Sequence, residues 1–234
     1  MSAPSAPDES FIDDITVPAT DGYRLAATLF LPRHARRGAV LISSATAVPR
    51  KIYRGFATHL AGRGAVVLTY DYRGTGGSRP KSLRGFRASM ADWAALDMTG
   101  AIAWMRQRYG EWPLRFVGHS FGGQGLGLAP NNTDIARALL VAAQAGYWRL
   151  MTPPERYRVY AFMNFVGVPV TRLFGYAPGI MGLGEDLPRE AFLQWTSWVM
   201  SRRYMFDDPS LPALANFAGF KAPMRAYTFT DDPW

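Results

Sequence analysis

Residues 114–123 read Leu114-Arg115-Phe116-Val117-Gly118-His119-Ser120-Phe121-Gly122-Gly123. The first half is a short, mostly apolar strand, and the second opens a glycine-rich helical segment that extends to Ala129. At their junction stands Gly118-His119-Ser120-Phe121-Gly122, a G-x-S-x-G pentapeptide. A serine between a strand and a helix in this pattern marks a nucleophile elbow. The tight turn strains the serine backbone and exposes its hydroxyl. Side chains at Gly118 or Gly122 would strike neighbouring backbone, so glycine is required there. The helix that follows directs its first N–H groups at the same place, where they favour developing negative charge.

Other apolar runs fall before and after this one. Residues 38–43 (GAVLIS), 65–70 (AVVLTY), 136–142 (ARALLVA) and 224–229 read as strands covered on both faces, as in parallel sheets. Residues 15–18 and 24–31 form a hairpin about Asp21-Gly22. The second of these alternates Leu25, Ala27, Leu29 and Leu31, as an antiparallel edge strand does. Between the runs lie helical patterns. Residues 49–61 place Ile52, Phe56 and Leu60 four apart. Residues 89–108 open on Ser89-x-x-Asp92, a capping-box variant, and set Trp93, Leu96, Ile102 and Met105 near one face. Strands alternating with helices predict an α/β fold with a doubly wound, mostly parallel sheet.

The alternation breaks at residues 146–215, which are rich in Trp, Tyr, Phe, Met and Pro, with helical pieces near 153–166 and 188–203. The expected organisation is a loose tail over 1–10, a core over 11–145, a helical cap over 146–215, and a return to the core over 216–234. Tyr147, Trp148, Tyr157, Phe162, Phe165 and Trp195 of the cap either line an apolar pocket or form the cap's own core.

Composition narrows the classes of function. With 48% hydrophobic and 19% charged residues among 234, the chain has a globular balance. It has no cysteine, which excludes disulfides and thiolate metal sites, and three dispersed histidines make no zinc site. No cofactor is implied. G-x-G-x-x-G fails at Leu128, and no P-loop occurs. The net charge of +8 comes from scattered arginines such as Arg33, Arg50, Arg106 and Arg202, without the concentrated face a nucleic-acid binder shows. The N-terminus lacks the n- and h-regions of a signal peptide, and no apolar run reaches the ~20 residues of a membrane span, so a cytoplasmic location is expected.

Three motifs taken in order carry a family resemblance: Asp71-Tyr72-Arg73-Gly74-Thr75-Gly76-Gly77-Ser78, then Gly118-His119-Ser120-Phe121-Gly122-Gly123, then Thr230-Asp231-Asp232-Pro233. The chain resembles the α/β-hydrolase superfamily, and within it the bacterial hydrolases of the serine-aminopeptidase-like type. The resemblance implies a Ser–acid–His triad but does not fix a substrate; the expectation is an ester or related acyl compound, with an apolar acyl group where the aromatics of 146–215 line the pocket. Ser120 would be the nucleophile. The acid would be Asp232, which precedes a proline, with Asp231 as the alternative. One oxyanion N–H would come from Phe121. The other would come from the loop after the first parallel strand, at Ala45 or Thr46, where many relatives carry His-Gly and this chain has Ser43-Ser44. His119 would shape the elbow, and the Asp71-to-Ser78 loop would be structural. The family's histidine follows one further strand and this sequence stops at Trp234, so the expectation is a fold lacking its last strand and helix, with little or no turnover. A non-catalytic protein holding a small apolar ligand and an acyltransferase are the rival readings.

Overall fold

The computed structural model describes residues 11–33 and 37–234, so the expected tail over 1–10 and His34 lie outside the described residues. Seven strands form one sheet: β1 (Phe11–Pro18), β2 (Arg24–Leu31), β3 (Gly38–Ser43), β4 (Ala65–Tyr70), β5 (Leu114–His119), β6 (Arg137–Val141) and, last in the chain, Met224–Tyr227. The order across the sheet is β1-β2-β4-β3-β5-β6 and then Met224–Tyr227. The β1–β2 and β2–β4 pairs are antiparallel and all others parallel. The doubly wound sheet expected from the alternation is therefore present.

Alternation along the central strands divides the core into two layers. Val40, Ile42 and Val67 face α1 (Arg54–Gly62), and Leu41, Val66 and Leu68 face the larger layer with Trp93, Ile102 and Phe116. Two readings of buried faces need correction. The α1 pattern of Ile52 and Phe56 points outward, at 65% and 43% exposure, while Ala57 and Ala61 are buried. Alanines let the helix lie close to the sheet, so the small residues mark the inner face. Nor is β2 an edge strand, because β1 covers one side of it and β4 the other.

The stretch 89–109 is one helical rod in three parts: α2 (Met90–Asp92), a π-helical turn (Trp93–Met98) and α3 (Thr99–Tyr109). The capping box forms as expected. The Asp92 N–H donates to Ser89 Oγ at 3.1 Å, and the Ser89 N–H donates to Asp92 Oδ2 at 2.8 Å. α4 (Phe121–Gly125) follows β5.

In the stretch 146–215, α5 (Glu155–Ala161), a π-helical turn (Phe162–Gly167) and α6 (Val168–Phe174) form a second long rod. Two short strands unmarked by any sequence signal, β7 (Tyr176–Ala177) and β8 (Leu187–Pro188), pair before α7 (Arg189–Met200). Met224–Tyr227, now β9, lies on β6 at the border of the sheet with every residue exposed. Its apolar side chains are not covered on both faces as the run at 224–229 suggested.

The Asp71-to-Ser78 loop is held by charge. Asp71 is buried, and it accepts from the Arg50 N–H (2.7 Å), the Gly77 N–H (2.8 Å) and the Arg50 guanidinium. Arg50 also donates through Nε to Thr28 Oγ1 at 3.0 Å, tying the loop to β2. Arg73 donates to Asp97 and Asp21. These contacts give the loop a structural role.

Candidate active site

Ser120 sits where β5 ends and α4 begins, with φ 50° and ψ −120°, a positive-φ conformation that residues with a Cβ rarely adopt. Its N–H donates to the Val141 carbonyl at 2.9 Å, and its own carbonyl accepts from the N–H groups of Gly123 (2.9 Å) and Gln124 (3.1 Å). Both glycines are sterically enforced. A Cβ on Gly118 would lie 2.5 Å from the Gly123 backbone, and one on Gly122 would lie 2.2 Å from the Ser43 carbonyl oxygen. As the first residue of its helix, Phe121 offers an N–H without an intrahelical acceptor.

Ser120 and Asp232 line the same cavity, of about 170 Å³, together with Gln124, Gln144, Trp195 and Trp234. Asp232 accepts from Gln144 Nε2 at 3.1 Å through Oδ2 and from the Trp234 N–H at 3.0 Å through Oδ1. Asp231 is exposed on the turn. Gln124 Nε2 donates to the Gln144 carbonyl (2.7 Å), and the buried Tyr204 hydroxyl donates to Gln124 Oε1 (3.2 Å). A chain of amides thus links the start of α4 to the acidic turn. Sequence reading passed over Gln124, Gln144 and Tyr204. The one available signal was Gln144, a polar residue directly after the apolar run of β6.

The loop after β3 departs from expectation. The Ala45 N–H donates to the Tyr53 hydroxyl at 3.0 Å, and the same hydroxyl lies 2.9 Å from His119 Nδ1. Burial pushes the Tyr53 hydroxyl up to about 12, so it stays protonated at neutral pH. Burial also lowers His119 below the usual imidazole range, which keeps the ring neutral. Thr46 is half-buried beside Ala45. His59 is exposed on α1 and accepts from Arg63 Nε at 3.1 Å.

A second cavity of about 170 Å³ adjoins the first, lined by Val159, Phe162, Met163 and Leu183 and sharing Trp195 and Trp234. The two tryptophan rings stack with centroids 6.0 Å apart. Of the six cap aromatics singled out by sequence, Phe162 and Trp195 face these cavities, while Tyr157 and Phe165 point outward at 58% and 71% exposure.

A family model described as serine aminopeptidase, S33, matches residues 34–170, more than half of the chain. The chain belongs to the serine aminopeptidase S33 family. It is a member of the α/β-hydrolase superfamily, and solved structures share its fold. A hypothetical protein from Pseudomonas aeruginosa superposes with a TM-score of 0.60 at 17% identity, over 95% of this chain and 78% of that one. The α/β hydrolase GrgF from Penicillium sp. sh18 gives 0.57 at 18%, over 92% and 89%. A carboxyl esterase from Bacillus coagulans gives 0.54 at 15%, over 92% and 68%. The chain spans 55% of the length of DcsB, another structure of this fold. No curated protein sequence matches the chain.

Proposed function

We propose that this S33-family chain is a serine hydrolase of the esterase type, acting on a small ester through Ser120. The observation that carries this reading is the positive-φ Ser120 at the β5–α4 junction, opening into one cavity with Asp232. Ser120 Oγ attacks the ester carbonyl, the alcohol leaves, and water then releases the acyl group. Asp232, buried more deeply than Asp231 and oriented by Gln144, is the acid of the triad. The Phe121 N–H supplies one oxyanion donor. The Thr46 N–H supplies the other, since that of Ala45 is given to Tyr53. The carboxyl esterase from Bacillus coagulans that shares the fold agrees with this substrate class.

The base is the open position. His119 is turned toward Tyr53 and His59 lies on the outer surface of α1, so neither takes the Ser120 proton.

The test is covalent labelling with a fluorophosphonate probe. Slow labelling is expected in this chain, accelerated by added imidazole acting as a diffusible base, and absent in Ser120→Ala. Equal labelling of Ser120→Ala and the unmutated protein would remove Ser120 from the reaction.

A further inference from the structure

The helical rod over residues 155–174 has two apolar stripes where a surface helix needs one. Val159, Met163, Gly167 and Thr171, four apart, are buried and face the interior. Tyr157, Ala161, Phe165, Pro169 and Leu173, also four apart, are all exposed, with Leu173 at 81% and Phe165 at 71%. A surface helix normally keeps one apolar stripe toward the interior and polar residues on the face opposite. Single exposed apolar residues are ordinary, but a continuous stripe marks a contact surface.

The surroundings extend the patch. Trp148 packs on Tyr160 with centroids 4.7 Å apart, and Tyr160 on Phe165 at 6.2 Å. Leu150, beside them in chain on the turn Trp148–Leu150, is 72% exposed. Tyrosine and tryptophan combine an apolar body with a polar tip and suit a boundary between water and an apolar medium.

The charges choose the occupant. Arg156, Arg158 and Arg172 lie within the rod, and Arg149 lies just before it. The one acid of the rod is Glu155, which the Arg158 guanidinium binds through both oxygens (2.6 and 2.7 Å) and holds below the usual carboxylate range. The stripe is thus apolar with a cationic border, on a chain of net charge +8. A second copy would bring like charges together, whereas an anionic lipid surface complements both features. No helix of the described residues is long and apolar enough to cross a membrane, so the contact is a surface one.

We propose that the outer face of the 155–174 rod docks on anionic phospholipid bilayers, with Phe165 and Leu173 at the headgroup–acyl boundary and Arg156 and Arg172 among the phosphates. This docking is independent of the Ser120 chemistry, so either reading survives failure of the other.

Co-sedimentation of the full chain with large unilamellar vesicles tests it. One set is an equal mixture of phosphatidylcholine and phosphatidylglycerol, and the other is phosphatidylcholine alone. The chain is expected to pellet with the mixed vesicles and to bind less as salt is raised. Phe165→Ser with Leu173→Ser should lower partitioning roughly tenfold or more. These side chains have few protein neighbours to lose, and an unchanged melting temperature verifies that the variant folds. Arg172→Glu should weaken binding to the mixed vesicles only and reduce the salt dependence. The proposal is overturned if the chain ignores the mixed vesicles, or if the serine variant binds as the unmutated chain does. It is also overturned if sedimentation velocity shows a dimer that the serine variant dissolves, which would assign the stripe to a second copy.

Discussion

Gly122→Ala is expected to leave little or no folded protein. The added Cβ would stand 2.2 Å from the Ser43 carbonyl oxygen, 2.6 Å from the Ser43 carbonyl carbon and 2.8 Å from the Ser44 carbonyl oxygen. All three are backbone atoms at the end of β3, a strand paired on both sides by β4 and β5. Overpacking costs about 1–3 kcal/mol where side chains can rearrange. Here no side chain can give, and the shift must pass into the centre of the sheet. The expected loss exceeds about 4 kcal/mol, comparable to the whole stability of many domains. Gly55→Ala provides the contrast. Its Cβ would meet nothing within 4 Å, and the site is helical, so a gain of about 1 kcal/mol is expected. Thermal melts of the two variants check both signs. A Gly122→Ala protein melting within a few degrees of the unmutated chain would show that α4 and β3 are not locked together as described.

The second large effect is expected at Asp97, which has no exposed side-chain surface and answers Arg73. Arg73 donates to it from Nε (2.6 Å) and from its backbone N–H (2.8 Å), and the Arg73 carbonyl accepts from Trp93 Nε1 at 3.0 Å. Asp97→Ala would strand two buried donors in either protonation state of the native carboxyl, and a loss of about 3 kcal/mol or more is expected. Asp21, on the other side of the guanidinium, is 42% exposed and cannot replace the lost acceptor. The pH dependence has a definite sign. Burial, the leading influence, pushes Asp97 up to about 7 from the 3.8 of an ordinary aspartate, against the opposing pull of Arg73. Between those values the folded chain holds a proton that the unfolded chain releases. Asp97 therefore contributes most stability below about pH 4, and this contribution is lost as pH rises through 7. Asp97→Asn cannot titrate, so its urea midpoint should fall less between pH 5 and pH 8 than that of the unmutated chain. Parallel pH profiles would assign the slope to another group.

The strands were legible because 38–43, 65–70 and 114–118 are short apolar runs bounded by glycine, and no other element suits such runs. The elbow was legible because steric need leaves only glycine at positions 118 and 122. The buried face of α1 was not, because alanine carries too weak a hydrophobic signal to compete with Ile52 and Phe56. β7 and β8, two residues each, are too short to show a period. The amide chain from Gln124 through Gln144 to Asp232 depends on residues far apart in sequence meeting in one cavity, and no local pattern records such a meeting. The use of the Ala45 N–H was hidden likewise, because Tyr53 reaches it from the turn that precedes α1. Tyr157 and Phe165 were expected in a pocket or in a core, and they lie in neither, because hydrophobicity alone does not say which way a helical side chain points.

Among the described residues, β9 joins the sheet only through β6, and the whole stretch 142–223 intervenes between them. Closing so long a loop delays this ladder relative to β3–β4 and β5–β6, whose strands lie much nearer in sequence. With all four residues open to water, it is also the cheapest ladder to break. Amide exchange should therefore be fastest in β9 and slowest in β3, so that the acidic turn carrying Asp232 opens and recloses many times while the serine turn stays shut.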